Sequence, residues 1–277
     1  MMTIAIVTDS TSDVPPDLAA AQDISVVPAI LVMGDKSLVD GEGISRQDFY
    51  EQLPSMKIPP TTAAPSSGTF EQVYEKRLSQ GAAQVLSIHL AATLSGILNA
   101  AQAAAHPFGK RVQVLDSGQV SMGLGFQVLA AAESAAQGLA LEQVLKQVAG
   151  LRQRLHLVAM LDSLEYLRRS GRVSWTKAGL GSLLQIKPFL EVKEGIVSRL
   201  GEARTRRKGV ERLYQMLQEL GDLERLAILH TNNETDARQM LAEFIHQAKM
   251  APLMVNVTSV IGAHVGPNAL GFVAVTR

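Results

Sequence analysis

The segment Thr3–Asp13 reads TIAIVTDSTSD and decides the fold. Its first residues are apolar and mostly β-branched, which predicts a short buried β-strand. The polar residues that follow predict a loop at the end of that strand. Pro15 and Pro16 then predict the start of a helix, with Ser12 or Asp13 as its cap. This strand–loop–helix order is typical of a protein with a parallel sheet, in which ligands bind at the carboxyl ends of the strands.

The same alternation continues along the chain. Further strands are predicted at Ile24–Val32, Val85–Leu90, Val112–Leu115, Leu157–Leu161, Ile186–Val192, Leu226–His230, Leu253–Val260 and Gly271–Thr276. Helices are predicted at Thr69–Leu78, Leu94–Ala104, Gln119–Ala136, Leu141–Arg154, Asp162–Arg169, Lys208–Leu220 and Glu234–Met250. We therefore expect an α/β protein with two α/β domains. Residues 1–150 should form a mostly parallel sheet flanked by helices, and residues 151–277 a mixed sheet with helices.

The composition excludes several classes of function. The chain has 277 residues, 47% of them apolar, with no cysteine and a formal net charge of zero. Disulfides and cysteine-based metal sites are therefore excluded, and a nucleic-acid partner is not expected. The histidines lack metal-site spacing, so we expect no metal and no cofactor. The N-terminus has no basic region before its apolar residues, and the uncharged stretch Leu78–Gly109 contains polar side chains, so we expect a cytoplasmic protein.

Three polar loops follow predicted strands in the first half of the chain. They are Thr8–Asp13, Ala91–Gly96 and Asp116–Ser121, and the proline-rich loop Pro59–Gly68 adds more hydroxyl groups. We expect their hydroxyls to meet at one rim, although each one could instead cap a helix. Likewise, Asp9 and Asp116 could hold magnesium, but capping is the simpler role.

An alternative function is a serine-dependent acyl hydrolase or acyltransferase, with Ser95 as nucleophile and His264 and Asp9 as its partners. The chain has no G-x-S-x-G elbow, and nothing in the sequence brings these three residues together. A phosphate-binding loop of the G-x-x-x-x-G-K-[ST] type is also absent from the sequence.

Two further features lie in the second half. Arg172 follows Gly171, beyond the point where a helix dipole explains a basic residue. His264 is flanked by Gly262 and Gly266, which predicts a tight functional turn. The densest positive charge is formed by Arg199, Arg204, Arg206, Arg207 and Lys208. Such a cluster is usually a solvated helix start. Basic residues at a helix start oppose the helix dipole, however, so five of them also indicate an anionic partner, and a nucleic acid bound by Arg204–Lys208 is an alternative.

These motifs together resemble the DegV family, which includes the fatty-acid-binding subunit of bacterial fatty acid kinase. The resemblance covers the whole chain. It is carried, in order, by Val7–Thr11, Val27-Pro28, Asp40-Gly41, Thr62–Ser66, Leu94–Gly96, Asp116-Ser117, Gly171-Arg172, Ile186–Pro188 and His264–Pro267. Each motif is weak alone, whereas their common order and spacing make the match specific.

The resemblance implies a buried lipid pocket at the junction of the two domains. Thr62 and Ser95 would bind the carboxylate of one long-chain fatty acid such as palmitate, stearate or oleate. Arg172, His264 and Gly96 would support this head-group site. The protein itself would not be an enzyme.

The resemblance also implies a partner: an ATP-dependent kinase subunit would phosphorylate the bound carboxylate to an acyl phosphate for phospholipid metabolism. Transient contact with a membrane surface is compatible with such a carrier. We expect the kinase to dock on Arg204 and Arg206. Two sites depart from the family pattern, because Ala63 and Ala64 replace Ser and Gln, and Asn268 replaces Gly. These changes concern pocket shape and chain preference rather than the head-group residues.

Overall fold

A computed structural model describes residues 3–173 and 186–277. Its strands are β1 (Ile4–Asp9), β2 (Ile24–Val27), β3 (Ile30–Met33), β4 (Lys36–Val39), β5 (Thr61–Ala63), β6 (Gln84–His89), β7 (Val112–Asp116), β8 (Leu155–Met160), β9 (Lys187–Lys193), β10 (Ile196–Ala203), β11 (Leu223–His230), β12 (Leu253–Asn256) and β13 (Leu270–Thr276). Its helices are α1 (Pro16–Ala21), α2 (Arg46–Gln52), α3 (Ser67–Ser79), α4 (Ile97–Ala105), α5 (Met122–Ala136), α6 (Leu141–Gln153), α7 (Glu165–Ser170), α8 (Arg206–Gln218), α9 (Glu234–Phe244) and α10 (Ser259–Val265).

The chain forms two compact units. The first comprises the chain up to Ile30 together with Ala63–Arg154, and the second comprises Leu31–Thr62 together with Leu155–Arg277. The break after Arg154 lies close to the expected boundary at residue 150. The segment Leu31–Thr62 differs from the expected division, because its contacts are with the second half of the chain rather than with its sequence neighbours.

The first unit contains a four-stranded sheet in the order β2-β1-β6-β7, in which all neighbouring strands are parallel. This confirms the parallel sheet expected from strand–helix alternation. Helix α5 is buried along nearly its whole length because its residues are small or apolar on every side. Gly125 lets it approach the turn after β1, since a Cβ there would lie 2.5 Å from the Ser12 carbonyl oxygen.

The second unit contains a six-stranded sheet in the order β10-β9-β8-β13-β11-β12. The strand pair β11–β12 is parallel and the other neighbouring pairs are antiparallel, which confirms the expected mixed sheet. A separate three-stranded sheet has the order β4-β3-β5. The apolar face of the larger sheet packs against α8 and α9 through Leu213, Leu217 and Met240, which are fully buried.

Several predicted boundaries are wrong for identifiable reasons. The strand predicted at Leu253–Val260 ends at Asn256, and α10 follows it, so His264 lies in a helix and not in a turn. The run Ile24–Val32 is split into two strands around Pro28, whose ring cannot donate a ladder hydrogen bond. Helix α1 has Pro15 at its N-cap position without a side-chain cap. Asp13 instead accepts a hydrogen bond from Ser121.

Three strands and several helix ends also escaped sequence reasoning. Strands β4, β5 and β10 were not predicted; β5 is short, and the other two carry polar residues at many positions. Helix α9 ends at Phe244 instead of Met250, and α4 begins at Ile97 instead of Leu94.

Substitutions at two glycines test whether α10 packs directly against Tyr50. At Gly262 of α10, a Cβ would lie 2.4 Å from the buried Tyr50 hydroxyl. By contrast, nothing among the described residues lies within 4 Å of a Cβ at Gly150, an exposed position on α6. Gly262→Ala should lower the free energy of unfolding by about 1–3 kcal/mol through overpacking. Gly150→Ala should raise it by roughly 0.5–1 kcal/mol because alanine loses less backbone entropy on folding. Urea unfolding of both variants measures this, and equal effects would contradict the contact.

Candidate functional site

The candidate site in the second unit is built around His264 near the end of α10. Its Nε2 lies 2.9 Å from Oγ1 of Thr62 on β5, 202 residues earlier in the chain. Thr62 and His264 are both partly buried. Two of the predicted head-group residues are therefore in direct contact.

The electrostatic environment keeps the His264 ring neutral at physiological pH. Burial is the largest cause and the positive charge of Arg172 the second, and together they lower the pKa of His264 from 6.5 to about 4. Arg172 follows Gly171, which ends α7 in the left-handed conformation at φ 67°. The Arg172 guanidinium is exposed and donates to the Ser170 carbonyl at 2.9 Å. Thr62 and His264 are thus in contact, and the charge of Arg172 acts on the His264 ring; the assignment of the three to a head-group site stays a prediction.

The segment Leu31–Thr62 holds α10 in place at its N-terminal end. The Tyr50 hydroxyl donates to the Val257 carbonyl at 2.8 Å, and the Thr258 hydroxyl donates to the Asp40 carboxylate at 2.6 Å. Arg46 donates to the Asn256 carbonyl. Since these contacts fix the residues just before α10, they also fix where His264 points.

At the two glycines around His264, a neighbouring side chain packs directly against the backbone. Gly262 leaves room for Tyr50, and Gly266 leaves room for Tyr166, whose ring would lie 2.3 Å from a Cβ there. Gly266 also has φ 80° and donates its amide hydrogen to the Gly262 carbonyl, which ends α10. The predicted tight turn is therefore wrong, and the two glycines instead allow close packing at the end of a helix.

In the first unit, Ser95 lies in the loop between β6 and α4. Its Oγ accepts a hydrogen bond from the amide of Ile97, the first residue of α4, at 3.3 Å, although Gly96 is the N-cap of that helix. That contact leaves the Ser95 hydroxyl hydrogen available as a donor. Gly96 is exposed at φ −77°, and a Cβ there would meet none of the described residues within 4 Å.

The carboxyl group of Asp9 is already bound by other protein groups, so it fits neither the nucleophilic triad with Ser95 and His264 nor a magnesium site. Its carboxyl group is fully buried and accepts from the Thr11 amide at 3.0 Å, from the Thr11 hydroxyl, from His89 Nδ1 at 2.9 Å and from the Leu90 amide at 3.3 Å. The histidine beside Asp9 is therefore His89. Four hydrogen bonds also use the lone pairs that a metal would need.

Sequence reasoning missed a buried hydrogen-bonded chain that starts at Asp9. His89 Nε2 lies 2.6 Å from Ser87 Oγ, and the Tyr74 hydroxyl donates to that same Oγ at 2.9 Å. Burial raises the pKa of Tyr74 to about 12, against a smaller opposing effect of Ser87. Ser87, His89 and Asp9 follow the order of a hydrolase triad, but all three are fully buried, so no substrate carbonyl can reach Ser87 in this arrangement. The only sequence signal was the i, i+2 spacing of Ser87 and His89 on one strand face.

The basic cluster is divided between two elements. Arg199 lies on β10 and pairs with Glu202, while Arg207 on α8 pairs with Glu211. Arg206 donates twice to the Asp236 carboxylate, at 2.7 and 2.8 Å, and once to the Asn268 carbonyl at 2.8 Å. Arg204 and Lys208 are exposed. Arg206 therefore has a structural role whatever else it contacts, and its part in docking stays a prediction.

Two searches of residues 3–173 and 186–277 bear on ligand class. Within that part of the chain, no three histidine or acidic side chains are grouped in a way that could hold a metal ion. Nor does any helix there combine the length and apolar character required to cross a membrane.

Comparison with known proteins identifies relatives along the whole chain. A sequence model for the DegV family, a family of uncharacterised proteins, matches residues 3–277. DegV domain-containing proteins of Streptomyces coelicolor and Deinococcus radiodurans are each 35% identical to the chain. The alignments cover 99% of this chain and 99% of the first relative, and 98% of this chain and 97% of the second.

Solved structures give the same result for the fold. A DegV family protein from Thermus thermophilus, reported for its fatty acid binding, has a TM-score of 0.92 and 33% identity, with all of both chains covered. DegV from Bacillus subtilis, a fatty acid binding protein, has a TM-score of 0.87 and 29% identity over the full length of both chains. These similarities confirm the predicted resemblance and the α/β fold class.

The lowered pKa of His264 predicts a pH effect on stability. Between about pH 6.5 and pH 4, an unfolded chain would bind a proton at this histidine and the folded chain would not. The free energy of unfolding should therefore fall as the pH decreases through this interval. In His264→Gln this part of the decrease should be missing, although His156 and His230, whose pKa values are also lowered chiefly by burial, still contribute.

Urea unfolding at pH 7.5, 5.5 and 4.5 measures the effect. His246→Gln, which changes an exposed histidine, is the matched control and should keep the native slope. The assignment is wrong if His264→Gln and the native protein lose stability equally between these pH values.

Proposed function

Because the chain belongs to the DegV family, we propose that it binds one long-chain fatty acid and holds the carboxylate with Thr62, Ser95, Arg172 and His264. The contact between Thr62 and His264 carries the proposal, because it brings two predicted head-group residues together from distant parts of the sequence. The related proteins of Thermus thermophilus and Bacillus subtilis, both reported as fatty acid binders, support the ligand class.

The hydroxyl groups suit a carboxylate because each can donate its hydrogen to the ligand while its oxygen accepts a hydrogen bond from the protein. With the proton of the neutral His264 ring on Nε2, His264 donates to Thr62 Oγ1, and the Thr62 hydroxyl hydrogen is free for the ligand. Ser95 is arranged in the same way, since its Oγ accepts from the Ile97 amide. Each hydroxyl then offers one donor, and Arg172 adds a positive charge that favours the ionised acid.

The acyl tail supplies most of the affinity. Burying about 14 methylenes at about 0.8 kcal/mol each gives about 11 kcal/mol before entropy costs. The head group then needs only enough donors to avoid a buried unpaired carboxylate. Ala63, Ala64 and Asn268 lie beside the head-group residues in sequence, and their effect would be on pocket shape rather than on this polar pairing.

We further propose that the bound carboxylate is presented to an ATP-dependent kinase, which converts it to an acyl phosphate. The isolated protein then has no turnover of its own. This agrees with the burial of the Ser87–His89–Asp9 group, which leaves no accessible nucleophile there. The exposed Arg204 and the adjoining Arg206 are the proposed docking residues for that kinase.

The head-group assignment predicts a selective loss of affinity. Thr62→Val and Ser95→Ala should each weaken palmitate binding roughly threefold to tenfold, because each removes one hydrogen bond to the carboxylate. Thr61→Val is the matched control, since Thr61 is an exposed neighbour on the same strand, and it should bind as the native protein does. Titration calorimetry on delipidated protein, with mass spectrometry of the lipid that copurifies, makes the measurement. Unchanged affinity in both site variants would refute the assignment.

The docking assignment predicts a separate effect on phosphorylation. Arg204→Glu should lower acyl-phosphate formation by a kinase subunit from a relative about tenfold, because a favourable charge contact becomes repulsive. Palmitate affinity and the melting temperature should be unchanged. Lys249→Glu is the control for a charge reversal elsewhere in this unit, since Lys249 is exposed.

Arg206→Glu is less informative, because it also breaks the contact with Asp236 and lowers stability. Equal phosphorylation of Arg204→Glu and the native protein would remove Arg204 from the docking surface.

A further inference from the structure

We propose that Asp9 and Asp116 are positioning residues that set the location of the Ser95 hydroxyl by holding the start of its loop. The inference deepens the proposed function and rests on the assignment of Ser95 to the fatty-acid carboxylate. Both aspartates lie at the carboxyl ends of neighbouring parallel strands on either side of β6, the strand from which the Ser95 loop departs.

Three successive backbone amides at the start of the loop are each held by a different acceptor. The Leu90 amide donates to Asp9 Oδ2 at 3.3 Å, and the Ala91 amide donates to the Gln119 carbonyl at 3.0 Å. The Ala92 amide donates to Asp116 Oδ2 at 3.3 Å. The chain leaves β6 at this point and no longer has ladder partners, so these contacts replace the sheet hydrogen bonds.

Each carboxyl group uses its two oxygens for two different loops. Asp9 Oδ1 holds the turn after β1 through Thr11, while Oδ2 reaches across to Leu90. Asp116 Oδ1 accepts from the Gly118 amide at 2.8 Å, while Oδ2 reaches across to Ala92. Local capping explains only the first contact of each pair. The second contact ties the Ser95 loop to its neighbours.

The buried chain behind Asp9 orients its carboxyl group. His89 Nδ1 contacts the same oxygen that accepts from Leu90, and Ser87 and Tyr74 in turn hold the His89 ring. The edge of the His89 ring also packs against Phe70, with centroids 5.1 Å apart. Since all these side chains are fully buried, the oxygen facing Leu90 has little freedom to move.

Such support matters because a single hydroxyl on a loop binds a ligand well only when its geometry is held. A functional group must be held to within about 0.5 Å by its surroundings to keep its contribution. The two contacts next to Ser95 itself, from the Leu94 amide to the Ala91 carbonyl and from the Ile97 amide to Ser95 Oγ, lie within the loop and cannot fix it relative to the sheet. Asp9 and Asp116 provide that external reference on either side of the contact from the Ala91 amide to the Gln119 carbonyl.

Asp116→Asn is the decisive variant, because asparagine has one acceptor oxygen where Asp116 uses two. The measurement is the ratio of affinities for palmitate and methyl palmitate, which reports the head-group site and is insensitive to a general loss of stability. Asp116→Asn should lower the preference for palmitate roughly threefold to tenfold, as Ser95→Ala does. In a Ser95→Ala background it should have no further effect, because it acts through Ser95.

Asp23→Asn is the matched control, since it removes a carboxylate that pairs with Arg77 in the same unit, far along the chain from the loop. It should leave the preference for palmitate unchanged. Asp9→Asn is the second test variant and should act in the same direction. If it does not fold, Asp116→Asn alone decides the matter.

The outcomes distinguish a failure of the proposed function from a failure of the positioning role. If the native protein shows no preference for palmitate, the proposed function fails and the inference fails with it. If Ser95→Ala loses the preference but Asp116→Asn keeps it, only the positioning role is overturned. The same conclusion follows if Asp116→Asn lowers the affinities for palmitate and its ester equally, or if its effect persists unchanged without Ser95.

Discussion

The buried carboxyl group of Asp9 is the constraint on which the first unit depends. A polar group without solvent must have hydrogen-bond partners, since leaving it unpaired costs several kcal/mol. Here Thr11, His89 and Leu90 meet that requirement from two different strand ends. The arrangement of the loops at the carboxyl edge of the parallel sheet follows from satisfying this one group. The Ser95 loop is one of those loops.

In the second unit, a segment from the first half of the sequence positions the candidate site residue His264. The segment Leu31–Thr62 interrupts the sequence of the first unit and packs with the second half of the chain. Its hydrogen bonds hold the start of α10. The same segment supplies Thr62 at its end, so one stretch of chain both positions His264 and contacts it. Gly262 is required because the fastening brings Tyr50 against the helix backbone.

The two proposed head-group hydroxyls share a chemical design although they come from different units. Each hydroxyl oxygen has a fixed protein partner, a histidine ring for Thr62 and a backbone amide for Ser95. Each is left with a single donor for a ligand. Under the proposed function, specificity for a carboxylate would arise from geometry and from Arg172, while a long apolar tail would provide the free energy of binding. Such a division of roles lets chain preference vary without change at the polar end.

The sequence by itself determined the α/β class, the parallel first sheet, the mixed second sheet and the identity of the head-group candidates. Those features follow from local periodicity and from motifs whose order is read along one dimension. Only the tertiary structure decided that Asp9 pairs with His89, that His264 lies in a helix beside Thr62, and that Leu31–Thr62 belongs with the second unit. The physical reason is that these contacts join residues about 80 to 200 positions apart, and packing and hydrogen-bond satisfaction, which select them, depend on three-dimensional proximity and not on spacing in the chain.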